Sequence, residues 1–402
     1  MSDITICIKC NETPSTIVNR KEAMCDSCYN RFARGKLRKA LSLDIYKVNS
    51  RYGIHRILVS YSGSKASLAT LDMLYDLMIE QKNRNNGKKG FEIVVVNIDE
   101  FERNSLPQSM TSKFDELKSK YEEVSFNVVN INDFLDGKKL IDYGLDKQFN
   151  IVIKKSDKLT MDQIFQSIDK SSQEDLTEIL YDNILLDVCK KFQCGTIMYC
   201  ETMNKLASES LSLIIKGRGT KIPEKINDTT IEDIHIIHPI RDLYTKEIEY
   251  YNNINGISDL VVESNRVISN INKNMSVKEI VDRYLRNVEQ SGYSSTIPTV
   301  VKISEKLVAP SKFSGNDTSK CNICGDTIYQ DCKTWLSKIT VNDSAPLTEE
   351  IEHEYLKMFQ DQEINEFDKS TDIPICYGCM VAMNKPVTWP TDEDIINEYS
   401  LE

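Results

Sequence analysis

The chain has 402 residues, of which 40% are hydrophobic and 28% charged, and its mean hydropathy is -0.38. This length predicts about two to three domains. The composition excludes collagen-like and fully disordered chains. A membrane-spanning chain is excluded because no apolar run approaches the roughly 18 residues that a spanning helix needs. The first residues lack the basic and apolar regions of a signal peptide, so we expect a cytoplasmic protein without a membrane contact.

Charge is distributed unevenly along the chain, whose net charge is -11. Residues 341–402 carry 15 acidic and 3 basic side chains, whereas residues 20–56 carry 10 basic and 3 acidic ones. The basic segment is a candidate for contact with phosphates while the acidic tail lies elsewhere. It can equally be the solvated face of a helix, and the charge pattern alone leaves both interpretations open.

Four cysteines near the N-terminus are spaced like metal ligands. Cys7-x-x-Cys10 and Cys25-x-x-Cys28 are separated by 14 residues. Each pair can form a turn that directs two thiolates at one ion, and two such turns complete a tetrahedral site. Disulfides are disfavoured without a secretion signal, and redox pairs without a surrounding strand–helix unit. We therefore predict a structural zinc site, followed by a basic helix, in a module covering residues 1–48.

An α/β domain is predicted over residues 49–312. Apolar strands alternate with helical periodicity, which is typical of a doubly wound parallel sheet. The predicted strands are 57–59, 91–99, 124–131, 196–200 and 234–237, and the predicted helices include 174–192, 203–215 and one that begins near Thr245. The stretch 132–172 is predicted to be a long polar loop.

The first of these strands is followed by a loop of small residues, Ser62-Gly63-Ser64-Lys65-Ala66-Ser67, and then by a helix. Small residues let backbone N–H groups approach a phosphate, and the helix N-terminus, the hydroxyls and the lysine favour the anion. A serine–glycine turn that only caps a helix has the same pattern. The candidate nucleotide-binding residues are Ser62, Gly63, Ser64, Lys65 and Ser67.

A second cysteine module, which includes the acidic tail, is predicted over residues 313–402. Cys321-x-x-Cys324 and Cys376-x-x-Cys379 are separated by 51 residues. Ligands so far apart in sequence can still converge on one ion, so we predict a second zinc site at these four cysteines.

The remaining cysteines are weaker candidates. We expect Cys189 to pack in a core, because its helix is apolar and buried free cysteine is common. Cys194 precedes a turn, and Cys200 ends a strand at the edge where α/β sites form. Cys332 could be a spare metal ligand, but we expect a free thiol. We assign no catalytic role to any of them.

Two further features have both a functional and a structural interpretation. His235 and His238 flank a strand end and could hold a metal, or His238 could satisfy local backbone groups. The basic glycine loop that contains Lys216 and Arg218 follows a helix. It could contact a nucleic-acid phosphate, or it could be a plain C-capping turn.

The loop at 62–67 resembles the S-G-G-x-D-S signature of PP-loop ATP pyrophosphatases, which adenylate a substrate carbonyl and release pyrophosphate. Ser64 replaces the second glycine and Ala66 replaces the aspartate. Catalytic tRNA-thiolating members also carry a G-H-N-A-D-D-like run, where this chain has Cys200 for the glycine and Asn204-Lys205 for the acidic pair. The resemblance implies a PP-loop (adenine nucleotide alpha hydrolase-like) fold, and the departures argue against ATP turnover.

Features along the whole chain resemble one family. They are the two cysteine clusters, the Cys-Tyr-Gly-Cys pair, the run from His238 to Leu243 before Thr-Lys-Glu, and 294–299 leading to 304–308. Together they resemble the cytoplasmic tRNA 2-thiolation protein 2 family over essentially the whole chain. The resemblance is weakest in 132–172 and 333–372.

This resemblance implies a non-catalytic subunit that forms a heterodimer with a catalytic PP-loop paralogue. The pair would transfer sulfur from a thiocarboxylated ubiquitin-like carrier to C2 of the wobble uridine in the tRNAs for lysine, glutamate and glutamine. The candidate tRNA contacts in this chain are Arg34, Arg38, Lys39, Lys216 and Arg218. Two alternatives remain: a self-sufficient ATP-dependent tRNA thiolase, and a zinc-dependent tRNA- or protein-binding module without a role in modification.

Overall fold

The computed structural model describes residues 6–41, 54–99, 109–131, 169–262, 275–308, 319–321, 324–329, 332 and 374–383. These residues divide into two compact units. The first takes those within 1–134, 180–215 and 222–307, and the second those within 135–179, 216–221 and 308–402. The module boundaries predicted at residues 48 and 312 stay a prediction. Most of the predicted loop 132–172, the insert 333–372 and the acidic tail lie outside the described residues.

The first unit begins with a hairpin and the basic helix. Strand β1 (Ile17–Asn19) pairs antiparallel with β2 (Glu22–Met24), and helix α1 (Asp26–Leu41) follows. Arg20 and Lys21, between the strands, have φ angles of 49° and 69°. Positive φ at both central residues is typical of the two-residue turn whose twist matches a hairpin.

A six-stranded sheet forms the centre of the first unit, in the order β5-β4-β3-β6-β8-β7. The strands are β3 (His55–Ser60), β4 (Phe91–Asp99), β5 (Ser125–Asn130), β6 (Thr196–Met198), β7 (Thr229–Ile231) and β8 (Ile234–Ile237). The chain leaves β3 in one direction and returns to its other side at β6, which confirms the predicted doubly wound sheet. The strand order therefore reverses between β3 and β6, where α/β folds bind ligands.

One strand departs from the parallel arrangement. β7 pairs antiparallel with β8, while β3, β4, β5, β6 and β8 form parallel pairs. Glu232 and Asp233 connect the two strands with φ angles of 48° and 66°. This tight turn leaves no room for the crossover helix that a parallel connection needs.

The remaining helices of this unit cover the sheet or extend from it. They are α2 (Lys65–Arg84), α3 (Ser109–Lys120), α4 (Lys170–Lys191), α5 (Met203–Ile215), α6 (Ile222–Ile226), α7 (Thr245–Ile254), α8 (Val277–Gln290) and α9 (Thr296–Ser304). Ile57, Leu58 and Val59 of β3 are completely buried, as expected of a strand covered on both faces. Helix α1 packs against α2 and α7. Among the described helices, none is long and apolar enough to cross a membrane.

The second unit is small and has little regular structure in its described parts. It contains strands β9 (Ser319–Lys320) and β10 (Thr327–Ile328), the short 3-10 turn Gly219–Lys221, helix α10 (Tyr377–Met383) and the first turns of α4. Its buried cluster consists of Ile179, Ile375, Cys321 and Cys379. A core of this size contributes little folding energy, so the four cysteines of this unit matter for its stability.

Candidate functional site

The four N-terminal cysteines converge on one point. The sulfur atoms of Cys7, Cys10, Cys25 and Cys28 all lie within 4.8 Å of one another, and that of Cys10 is 4.0 Å from that of Cys25. Sulfurs about 2.3 Å from a tetrahedral ion are about 3.8 Å apart. A hydrogen bond with the Thr13 hydroxyl lowers the pKa of Cys10 to about 6, which favours the thiolate that a metal binds. The group therefore fits a metal ion.

Hydrogen bonds from Arg20 and Tyr29 attach this cluster to the sheet domain. The Arg20 guanidinium binds both carboxylate oxygens of Glu247 at 2.7 and 2.9 Å and donates to the backbone oxygen of Asp242 at 2.6 Å. The Tyr29 hydroxyl donates to the backbone oxygen of Glu247. Glu247 lies in the first turn of α7 and is buried. These contacts fix the cysteine hairpin to the helix that follows β8.

The four C-terminal cysteines also converge, despite the 51 residues between their pairs. The sulfur atoms of Cys321, Cys324, Cys376 and Cys379 lie within 4.8 Å of one another, and those of Cys324 and Cys376 are 3.5 Å apart. The backbone N–H groups of Cys376 and Cys379 donate to the sulfurs of Cys321 and Cys376 at 3.3 and 3.4 Å. Such bonds stabilise thiolates, so this group fits a metal ion as well.

None of the twelve cysteines, all of which the structure describes, forms a disulfide. Cys332 is buried and lies outside both four-cysteine groups. Cys189 is buried, as predicted, and donates to the backbone oxygen of Cys194 at 3.1 Å. Desolvation raises the pKa of Cys200 to about 12, which disfavours a reactive thiolate there.

The serine-rich loop occupies the predicted place between β3 and α2. Ser64 is the N-cap of α2, and its hydroxyl accepts from the backbone N–H of Ser67 at 3.3 Å. Gly63 has a φ of 77°, and its backbone oxygen accepts from Val262 at 2.9 Å. The Lys65 ammonium pairs with Glu249 at 2.9 Å. The lysine that would meet a phosphate thus already has a carboxylate partner.

The second degenerate motif is held by hydrogen bonds to neighbouring helices. The Asn204 side-chain oxygen accepts from the backbone N–H of Thr245 at 3.0 Å. Its nitrogen donates to Glu289 at 3.2 Å. Asn204 therefore connects the start of α5 to α7 and α8. An acidic residue at this position would place a second negative charge beside the Glu289 carboxylate. It would also lack the amide N–H that donates to Glu289.

Two of the predicted tRNA contacts on α1 are paired with acidic residues of α2. Arg34 forms an ion pair with Asp76, and its Nε donates to the Tyr251 hydroxyl at 3.3 Å. Arg38 pairs with Glu80 at 2.6 Å, and both side chains are nearly half exposed. Lys39 is exposed. The basic segment is therefore partly neutralised within the chain, and its contact with tRNA stays a prediction.

The other two predicted tRNA contacts are buried in the second unit. The Lys216 side chain is 9% exposed and that of Arg218 is 3% exposed. Both bind Asp175, through its two carboxylate oxygens, at 2.6 and 2.9 Å. Burial at this depth disfavours contact with a phosphate, and a tRNA contact at these two residues stays a prediction. Asp175 could not be identified as their partner from local sequence patterns, because 43 residues separate it from Arg218.

The two histidines do not act as a pair. His238 is buried and stacks on the Tyr199 ring, with centroids 5.6 Å apart. Its backbone N–H donates to Asp228 at 3.0 Å, and its ring nitrogens lie 3.6 Å from Asp228 and Glu201. The side chain of His235 instead contacts the Thr230 hydroxyl at 3.2 Å. Neither histidine belongs to a metal-compatible group among the described residues.

Comparison with known proteins agrees with this architecture. The family described as cytoplasmic tRNA 2-thiolation protein 2 matches residues 276–381. Among solved structures, the U34-tRNA thiolase NcsA from Methanococcus maripaludis with its [4Fe-4S] cluster is similar with a TM-score of 0.55 at 16% identity. The match covers 81% of this chain and 96% of that one. This likeness is one of fold, and it confirms the predicted PP-loop architecture.

Relatives along the full chain are closer in sequence. Cytoplasmic tRNA 2-thiolation protein 2 from Scheffersomyces stipitis is 34% identical, with 99% of this chain and 96% of the relative covered. The protein of the same name from Lodderomyces elongisporus is 36% identical, with 98% and 97% covered. Their shared name places these relatives in the cytoplasm and in tRNA 2-thiolation. On this evidence the chain belongs to the cytoplasmic tRNA 2-thiolation protein 2 family.

Proposed function

We propose that the protein is the non-catalytic subunit of a cytoplasmic complex that 2-thiolates the wobble uridine of the tRNAs for lysine, glutamate and glutamine. Its partner is a catalytic PP-loop paralogue, and the sulfur comes from a thiocarboxylated ubiquitin-like carrier. The observation that carries the non-catalytic role is the Lys65–Glu249 ion pair at the serine-rich loop. A lysine in this position stabilises the phosphates of a nucleotide only when it is released from its carboxylate.

The side chains around the loop support the same proposal. Ser64 adds a side chain where the PP-loop signature has glycine, and its hydroxyl is used to cap α2. Ala66 supplies no carboxylate, and Asn204 is engaged with Thr245 and Glu289. The chain thus has the fold that binds ATP in PP-loop enzymes. The residues at its signature positions, however, are either replaced or already hydrogen-bonded to other parts of the chain.

We propose zinc as the ion at both cysteine groups. Four thiolates in a closed, tetrahedral arrangement are typical of structural zinc sites, and neither group includes a residue that would leave a position open for chemistry. The role of the ions is to hold short segments that have little core of their own. Because NcsA carries a [4Fe-4S] cluster, iron and zinc need to be measured together.

The 2-thiouridine content of bulk tRNA, measured by nucleoside mass spectrometry, tests the proposed function. Cells without this gene should lose 2-thiouridine, and the wild-type chain should restore it. A Lys65→Ala chain should restore it too, because a non-catalytic loop needs no phosphate contact. Undiminished 2-thiouridine in the deleted cells would reject the function and favour a binding module. Failure of Lys65→Ala alone would favour a working nucleotide site.

The self-sufficient thiolase makes a different prediction for the purified chain. If the protein acted alone, it would release pyrophosphate from ATP in the presence of tRNA. We expect no release above background from this chain without its paralogue.

Charge reversal at the exposed end of α1 is expected to weaken tRNA binding. In Arg38→Glu plus Lys39→Glu, the slope of log affinity against log salt should become shallower by about 1.4 to 1.8, because about two phosphate contacts are lost. Arg34 is left intact because its contact with Tyr251 supports folding. A matched control is Lys113→Glu plus Lys118→Glu on α3, which changes the net charge equally. Equal slopes in both variants would assign α1 to solvent or to a protein partner.

A further inference from the structure

The basic glycine loop at 216–218 lies directly against the C-terminal cysteine group. The Arg218 guanidinium donates from Nη1 to the Cys379 sulfur at 3.5 Å and from Nε to Asp175 at 2.9 Å. The planar Arg218 guanidinium therefore connects this loop to the Cys379 sulfur, and the Asp175 carboxylate holds the guanidinium in place.

Two glycines make this contact possible. A Cβ atom on Gly378, between the last two cysteines, would lie 2.4 Å from the Arg218 side chain. A Cβ atom on Gly217, whose φ is 69°, would lie 2.5 Å from the Tyr377 ring. The 216–218 loop and the start of α10 thus each have a glycine where the other inserts a large side chain. The close fit explains why Lys-Gly-Arg and Cys-Tyr-Gly-Cys carry glycine at these positions.

The charges in this buried region are complementary. Four thiolates around a divalent ion leave two excess negative charges, which are costly to bury without compensation. Lys216 and Arg218, with Asp175 between them, contribute one net positive charge next to the sulfurs.

We propose that Arg218 is a positioning residue for the C-terminal metal centre, and that Asp175 orients its guanidinium toward Cys379. This inference rests on the metal occupancy that we propose for the four cysteines. Hydrogen bonds to ligand atoms orient the ligands and stabilise the bound ion. The loop thus serves the metal centre instead of a tRNA phosphate.

The test is the rate at which each cysteine of the full chain is alkylated after addition of excess EDTA, read by peptide mass spectrometry. In Arg218→Gln the rate at Cys376 and Cys379 should rise roughly 10- to 100-fold, the usual loss of metal affinity when such a partner is removed. The N-terminal cysteines should react as in the wild type. The alkylation rate in Arg218→Lys should lie between those of the wild type and Arg218→Gln, because lysine keeps the charge but lacks the planar guanidinium.

Lys216→Gln is the matched control, because the Lys216 ammonium donates to the same Asp175, whereas the hydrogen bond to the Cys379 sulfur comes from Arg218. It should change the rate much less than Arg218→Gln. Gly378→Ala, which displaces the arginine without removing it, should accelerate alkylation of the same two cysteines. Equal effects of Lys216→Gln and Arg218→Gln, or faster alkylation of both cysteine groups alike, would overturn the proposal.

Metal analysis of the wild-type chain separates the two proposals. If each cysteine group holds one metal ion but Arg218→Gln does not change the alkylation rates, only the role of Arg218 is rejected. Absence of metal at Cys321, Cys324, Cys376 and Cys379 would reject the metal assignment itself.

Discussion

Replacement of Cys25 and Cys28 by serine is expected to remove one equivalent of metal from the protein and to unfold the residues before α1. The hairpin between Cys7 and Cys28 has few buried side chains of its own, so the ion supplies much of its folding energy. In isolated zinc-finger peptides this contribution is about 10 to 16 kcal/mol. Helix α1 should survive, because Ala33, Leu37 and Leu41 remain packed in the core.

Zinc and iron analysis gives the number and identity of the ions, and limited trypsin digestion reports the unfolding. Arg20 should become a cleavage site, because its bonds to Glu247 and Asp242 require a folded hairpin. Cys200→Ser is the matched control, since it makes the same chemical change outside both cysteine groups. Unchanged metal content in the double variant would contradict the assignment of these cysteines as ligands.

The second large effect is expected from Asp72→Ala. Asp72 lies on α2 and is buried, and its two carboxylate oxygens accept from the hydroxyls of Tyr121 at 2.9 Å and Tyr251 at 2.8 Å. The change would leave both buried hydroxyls without an acceptor for their protons, while the Tyr251 oxygen would still accept from Arg34. At about 1 to 3 kcal/mol for each group, the free energy of unfolding should fall by about 2 to 6 kcal/mol. That is a large share of the total stability of a typical domain.

Urea denaturation followed by circular dichroism measures this loss. Tyr121→Phe is the matched control. It removes one of the two hydrogen bonds that Asp72 accepts and leaves no hydroxyl without an acceptor, so the free energy of unfolding should fall by only about 1 kcal/mol. A loss for Asp72→Ala no larger than that of Tyr121→Phe would contradict a buried network. Binding of tRNA should weaken together with stability, because Tyr251 also holds Arg34 on α1.

These two sets of contacts have a common consequence for the basic helix. Arg20 and Glu247 connect the cysteine hairpin to α7, while Asp72 and Tyr251 connect α7 to α2. Helix α1 lies between them and packs against both helices. The orientation of its exposed charges is therefore set by the sheet domain as well as by the N-terminal cysteines.

Much of the fold was predictable because it depends on local patterns. The buried strand, small-residue loop and helix at 57–84 follow one another within a single stretch of chain, and the observed α5 has the predicted bounds 203–215. The spacing of each Cys-x-x-Cys pair makes a turn by itself. The departures at Ser64, Ala66 and Asn204 from the PP-loop motifs are also properties of the sequence alone.

Other features were decided only by the tertiary structure. The direction of β7 depends on the two-residue turn at Glu232 and Asp233. This turn contains neither Gly nor Asn, the residues that usually predict such a turn from sequence. The convergence of two cysteine pairs across 51 residues is likewise a result of folding.

The sequence by itself determined the family, the PP-loop fold and the eight paired cysteines, because local spacing and chain-order motifs encode them. It could not determine whether a basic residue is available to RNA. Arg38 pairs with Glu80, 42 residues away, and Arg218 is buried between Asp175 and Cys379. The partner of a charged side chain depends on which elements pack beside it, and only the tertiary structure decides that.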